Sequence, residues 1–146
     1  MSPPVDDHET TGPPDRETLR LLERHLASDS LVVKTAFDPD RFEPRLLRVA
    51  LDADQYPAAV ETARLDVRWF TTGDFSIHYV EDQGRWECRW DRHPNGHNTR
   101  LYFHLPPNGA EITDLSLSSL HPLDLYSTVL TAIEARIETL WDGTGQ

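Results

Sequence analysis

The chain has 146 residues, 25 acidic against 14 basic side chains for a net charge of −11, one cysteine and 38% hydrophobic residues, which bounds it to a single domain with one core. The lone Cys88 excludes a disulfide framework, no run approaches the roughly 20 apolar residues of a membrane span, and the opening MSPPVDDHETTGPP is acidic where a secretion signal is basic and then apolar. A cytoplasmic protein without a membrane partner is expected.

Thirteen of the basic residues are Arg, with Lys34 the exception. A dense acidic shell keeps a chain hydrated, and its self-repulsion is tolerable where salt screens it, the Debye length being about 3 Å at 1 M. The composition therefore reads as halophilic. One segment stands apart: from Arg85 to His104 four arginines face two acids, a local charge of plus two, with His93, His97 and His104 among them.

In chain order, residues 1–14 offer nothing to bury and read as a flexible tail ahead of a single domain over 15–142. Asp15 suits the cap of a helix over about 15–28, with Leu19, Leu22 and Leu26 at helical spacing. Leu31 to Phe37 and Arg45 to Asp52 read as strands. The alternation then sharpens: Ala63, Leu65, Val67 and Trp69 share one face, as do Phe75, Ile77 and Tyr79, then Trp86, Cys88 and Trp90, then Leu101, Phe103 and Leu105. Leu123, Tyr126, Leu130, Ile133, Ile137 and Leu140 step by three or four, with Pro122 at the first turn of a closing helix. The expected fold is α+β: an antiparallel meander of about five to six strands with N-terminal and C-terminal helices packed on one face. Trp86, Trp90 and Trp141 all fall on apolar phases and are expected in the core.

The complement of the apolar set lies on the other face of the sheet. It comprises Arg64 and Arg68, then His78, then Arg89 and Asp91, then Arg100, Tyr102 and His104. Cross-strand neighbours approach to about 5 Å, so several of these side chains can meet around one bound group; a merely solvated polar face is the plain alternative. Between the third and fourth of the alternating strands, Pro94-Asn95-Gly96 forces a turn with His93 and His97 at its shoulders.

Three readings compete for these histidines. His93, His97, His104 and Asp91 offer donors that zinc or manganese accepts, although Pro and Gly forbid the helix that makes H-x3-H a chelating pair. Alternatively, two imidazoles with reference pKa near 6.5 exchange protons while an arginine stabilises charge on phosphate, enough to cleave RNA through its own 2′-hydroxyl without a metal. Or the rings only hydrogen-bond the loop. There is no G-x-G-x-x-G, P-loop or G-x-S-x-G, and Cys88 falls on a buried parity, so neither a nucleotide cofactor nor a thiol nucleophile is indicated.

The order W-x-C-R-W-D-R-H-P-N at Trp86 to Asn95, then His97, then F-H-x-P-P at Phe103 to Pro107, all following S-I-H-Y-V, resembles the TumE-like proteins. These are small proteins of bacteria and archaea, the haloarchaeal branch in particular, assigned to toxin-antitoxin modules. The resemblance covers about residues 62 to 141. It implies a type II toxin paired with a cognate antitoxin protein and acting as a nuclease, with Arg89, Asp91, His93, His97 and His104 as the positions onto which a family site maps. Two positions depart from the pattern: Tyr102 stands where the first histidine of a His-x-His pair is expected, and Leu105 follows His104 in place of proline. Tyr102 retains a hydroxyl able to hold phosphate.

The resulting expectation is a nuclease acting on RNA or DNA, with His93 and His104 as acid and base, Asp91 orienting, and Arg89 and Arg100 on the phosphate. Tyr102, His97, His78 and Arg68 complete the binding face, and no cofactor is expected, a divalent metal being the minor option. The alternative is a non-catalytic interaction or regulatory protein that docks a partner through the same face.

Overall fold

The computed structural model describes residues 12–92, 101–117 and 119–144. The Asp15 carboxylate accepts from the Thr18 backbone N–H at 3.0 Å and from the Thr18 hydroxyl at 2.8 Å. It thereby satisfies one of the donors a helix start leaves unpaired, and α1 runs from Arg16 to Ala27. Its buried face is Leu19, Leu22 and Leu26, as their spacing predicts. Each buried leucine contributes on the order of 2 kcal/mol.

Seven strands follow, β1 (Val32–Asp38), β2 (Leu46–Leu51), β3 (Ala63–Trp69), β4 (Phe75–Glu81), β5 (Trp86–Arg92), β6 (Leu101–His104) and β7 (Ile112–Leu115), and then α2 (Pro122–Thr144). They form one sheet in sequence order, each neighbour antiparallel. The strand beyond the expected five to six is β7. Three of its four residues are exposed, so its extended state comes from pairing with β6 rather than from an alternating pattern of its own.

Register keeps the two faces of the sheet separate. Val49 lies opposite Leu65, Leu65 opposite Tyr79, Tyr79 opposite Cys88, and Trp90 opposite Phe103. This apolar face is the one the helices cover: α1 packs on β1 to β3, and Ala132, Ile133 and Arg136 of α2 lie against Tyr79, Trp86, Cys88, Trp90 and Phe103, around a cleft of about 160 Å³. The fold class and the one-sided helices are therefore as expected. Trp86 and Trp90 pack with the core, but Trp141 does not. It is 48% exposed and its indole N–H donates to the Gln55 carbonyl at 2.9 Å, so it lies over the connection after β2, while Ile137 and Leu140 of the same helix pack against the core. No helix among the described residues is long and apolar enough to cross a membrane.

Glu81 interrupts the apolar phase of β4, since it is only 2% exposed on the helix-covered side. Arg136 of α2 grips it with Nε and Nη2, each at 2.9 Å, and the Tyr79 hydroxyl donates to it at 2.7 Å. The Tyr56 hydroxyl sits 2.7 Å from that of Tyr79, and the Arg136 guanidinium lies 3.8 Å over the Trp86 ring. A buried pair of this kind adds little net stability over an apolar substitute, but an unpaired survivor costs about 3 to 5 kcal/mol. Arg136→Met should therefore lose about 3 to 5 kcal/mol in chemical denaturation, and Glu81→Leu with Arg136→Met should recover most of it. A double variant no more stable than the single would show that the pair is not what holds α2.

Burial, with the Glu81 charge adding to it, pushes the Cys88 thiol from its ordinary 9.0 up to about 12. Burial likewise raises Tyr56 and Tyr79 above the usual phenol range. The unfolded thiol releases its proton near 9 while the folded one keeps it, so the stabilisation is complete below pH 9 and is lost as pH rises through 12. Stability should fall across that window by about 1.4 kcal/mol per pH unit for each such group, and Cys88→Ala should remove one group's share of the slope. At pH 8 the folded protein should not react with Ellman's reagent, whereas denatured protein should; rapid labelling of the native state would contradict this burial.

Candidate functional site

The face turned away from the helices follows from the same register. His78 lies opposite Arg89, and Arg89 opposite His104; Arg68 lies opposite Ser76, Ser76 opposite Asp91, and Asp91 opposite Tyr102. On the described strands this face carries Lys34, Arg48, Arg64, Arg68 and Arg89 against Asp38, Asp66, Glu87, Asp91 and Asp114. Five cations meet five acids there, so the chain's surplus of 11 acids lies elsewhere.

Three of the expected site residues converge. Oδ2 of Asp91, a residue with no exposed surface, accepts from Arg89 Nε at 2.9 Å and lies 2.7 Å from His104 Nε2. Two residues along one strand share a face, which brings Arg89 to Asp91, and the β5–β6 register sets His104 across from Arg89. Nη2 of Arg89 is 3.2 Å from His104 Nε2 and 3.5 Å from Nδ1. We assign the ring proton to Nε2, donated to the carboxylate, because the guanidinium has only donors and can bond the neutral ring solely through Nδ1. The carboxylate thus fixes the tautomer and leaves Nδ1 as the ring's acceptor, 3.5 Å from Arg89 Nη2. The Arg89 side chain is 39% exposed and that of His104 12%, so the guanidinium reaches solvent above a buried acid and a largely covered ring.

His78 and Arg68 are not drawn into this cluster. His78 Nε2 is 2.9 Å from Glu87 Oε1, and Glu87, whose role the sequence reading missed, claims it from one strand over. Glu87 shares the outward parity of Arg89, which is the signal that identifies it. Arg68 is two strands from Asp91 and makes no ion pair with a described residue. Tyr102 is half-buried directly across from Asp91. His93, His97 and Arg100 lie outside the described residues.

Arg92 has a structural setting instead. Its Nη1 is 3.5 Å from buried Asp74, and a Cβ on Gly73, whose φ is +90°, would fall 2.9 Å from that same nitrogen. Cys88 faces the core, away from this surface. Among the described residues no three His, Cys, Asp or Glu side chains form a group that would hold a metal ion.

A buried carboxylate that orients an imidazole beside an exposed guanidinium has the parts for moving a proton next to developing negative charge. No curated protein and no solved structure matches the chain. The family model described as toxin TumE matches residues 18–137, a span that takes in nearly all of α1, every strand, the Asp91 cluster and most of α2. The chain therefore belongs to the TumE toxin family.

Proposed function

We propose that this toxin-family protein is a nuclease that cleaves RNA through the substrate's own 2′-hydroxyl, on the face built by Arg89, Asp91 and His104. The observation that carries the reading is the single Asp91 oxygen shared by Arg89 Nε and His104 Nε2. His104 Nδ1 takes the proton of the 2′-hydroxyl as its oxygen attacks the adjacent phosphorus. Arg89, with Arg100, stabilises the charge that gathers on the phosphoryl oxygens. The bond from phosphorus to the 5′-oxygen breaks, and that oxygen leaves with a proton from a second acid, the role we give to His93. A cyclic phosphate and a free 5′-hydroxyl result. Asp91 stabilises the imidazolium that forms without taking its proton, and Tyr102 offers a hydroxyl to the phosphate from across the strand.

The reading implies action in the cytoplasm and a cognate antitoxin protein that restrains it. A second reading, a non-catalytic docking face, draws on one observation: the 12% exposure of the His104 side chain suits a structural imidazole.

The test is cleavage of labelled RNA and DNA in molar KCl, with EDTA and with added divalent metal. His104→Ala should lose about 10²- to 10⁴-fold in rate and Arg89→Gln about 100-fold, with circular dichroism unchanged. Cleavage of RNA that survives EDTA supports the 2′-hydroxyl route. A His104→Ala protein as active as the parent overturns the assignment, and a parent inert under every condition favours docking.

A further inference from the structure

Beyond the Asp91 cluster the open face continues across β4, β3, β2 and β1, and its charges are not evenly matched. Asp66 is taken by Arg64 at 3.2 Å, Glu87 by His78, and Asp91 by Arg89 and His104. Lys34, Arg48 and Arg68 face the same side and make no ion pair with a described residue, and Lys34 and Arg48 are exposed. Arg68 lies in the cross-strand row of Asp91, and Arg48 and Lys34 lie two and four residues further along the strands; with strands about 4.8 Å apart and a rise of about 3.4 Å per residue, the three stand roughly 10, 16 and 23 Å from Asp91 in turn. They form a receding line of unpaired cations on a chain with a net charge of −11. Across β1 to β4 this face carries Lys34, Arg48, Arg64 and Arg68 against Asp38 and Asp66, a local excess of cations of the kind a polyanion requires.

Resting on the RNA-cleaving reading, we propose that the substrate is a single strand that crosses the sheet from the Asp91–His104 pair towards β1, its successive phosphates held by Arg68, Arg48 and Lys34. A single strand fits because in-line attack by a 2′-oxygen needs a nucleotide free of helical geometry, and open sheets serve single strands as platforms. Few aromatic groups stand on this face. Grip comes from phosphate charge rather than base stacking, and the track is indifferent to sequence.

The test separates this track from the chemistry. His104→Ala protein, which binds without cutting, is titrated with a fluorescein-labelled single-stranded RNA by anisotropy, over the KCl range in which circular dichroism shows it folded. Each phosphate contact on a single strand contributes about 0.7 to the slope of log K against log salt. Arg48→Gln and Lys34→Gln should each flatten the slope by about 0.7, and the triple variant with Arg68→Gln by about 2. Arg24→Gln, on exposed α1 across the sheet, should leave it unchanged. In the cleaving protein the same substitutions should raise KM and spare kcat.

Unaltered slopes with RNA still cleaved by the parent overturn the track and leave the nuclease reading standing. Altered slopes with no cleavage by the parent support the track and overturn the nuclease. If Arg24→Gln flattens the slope as much as Arg48→Gln does, the binding is diffuse and the track fails.

Discussion

Period-two alternation, carried in unbroken register from β2 to β7 and interrupted only by the irregularity between Val32 and Lys34 of β1, is the constraint on which this molecule rests. Each strand returns beside its predecessor, so the inward or outward sense of one strand is passed to the next through paired residues such as Leu65, Tyr79 and Cys88. A shift of one residue anywhere would turn Arg64, Asp66 or His78 into the core and Leu65 or Ile77 into water, at a cost far beyond the net stability of a small domain. The helices can then cover only one side. What is left on the other is a mainly polar surface, with Leu46, Val80 and Asp91 as its buried members.

Two buried carboxylates show what each face does with a charge. Glu81 sits under α2, where Arg136, Tyr79 and Trp86 enclose it and join helix to sheet. Its donors are committed, and nothing from solvent reaches it. Asp91 is as deeply buried, yet Arg89, one of its partners, keeps more than a third of its side chain exposed, and His104, another, is 12% exposed. The same chemical group acts as a structural joint in one layer and as the hidden anchor of an arginine and a histidine in the other. Burial of the acid matters there because charge-assisted bonds in a low dielectric hold the imidazole in one orientation.

The proposed site lies inside the span that the toxin family model matches. The toxin family model spans the strands that carry Arg89, Asp91 and His104, and the same strands hold the one described place where a histidine, an arginine and a buried acid converge. The acidic excess of the chain is confined to other surfaces, which leaves the open face electrostatically neutral and studded with cations. A protein that is acidic overall can thus present a local surface suited to phosphate. The argument from net charge and the argument from the site address different parts of the molecule.

Sequence alone determined the local periods, and with them the capped start of α1 at Asp15, the inward leucines, the sense of β3 to β6 and the membership of Arg68, His78, Arg89, Asp91, Tyr102 and His104 in a single outward set. Each of these is a property of one stretch of chain and its own repeat. Which members of that set touch was decided elsewhere. Register across the β5–β6 connection put His104 opposite Arg89, while Glu87 drew His78 away and the intervening β4 kept Arg68 apart from Asp91. Strand β7 has almost no pattern of its own, and the place of Trp141 depended on the Gln55 carbonyl that its indole meets. Contact between side chains distant in sequence is set by pairing, rotamer and the reach of neighbouring elements, which no local period encodes.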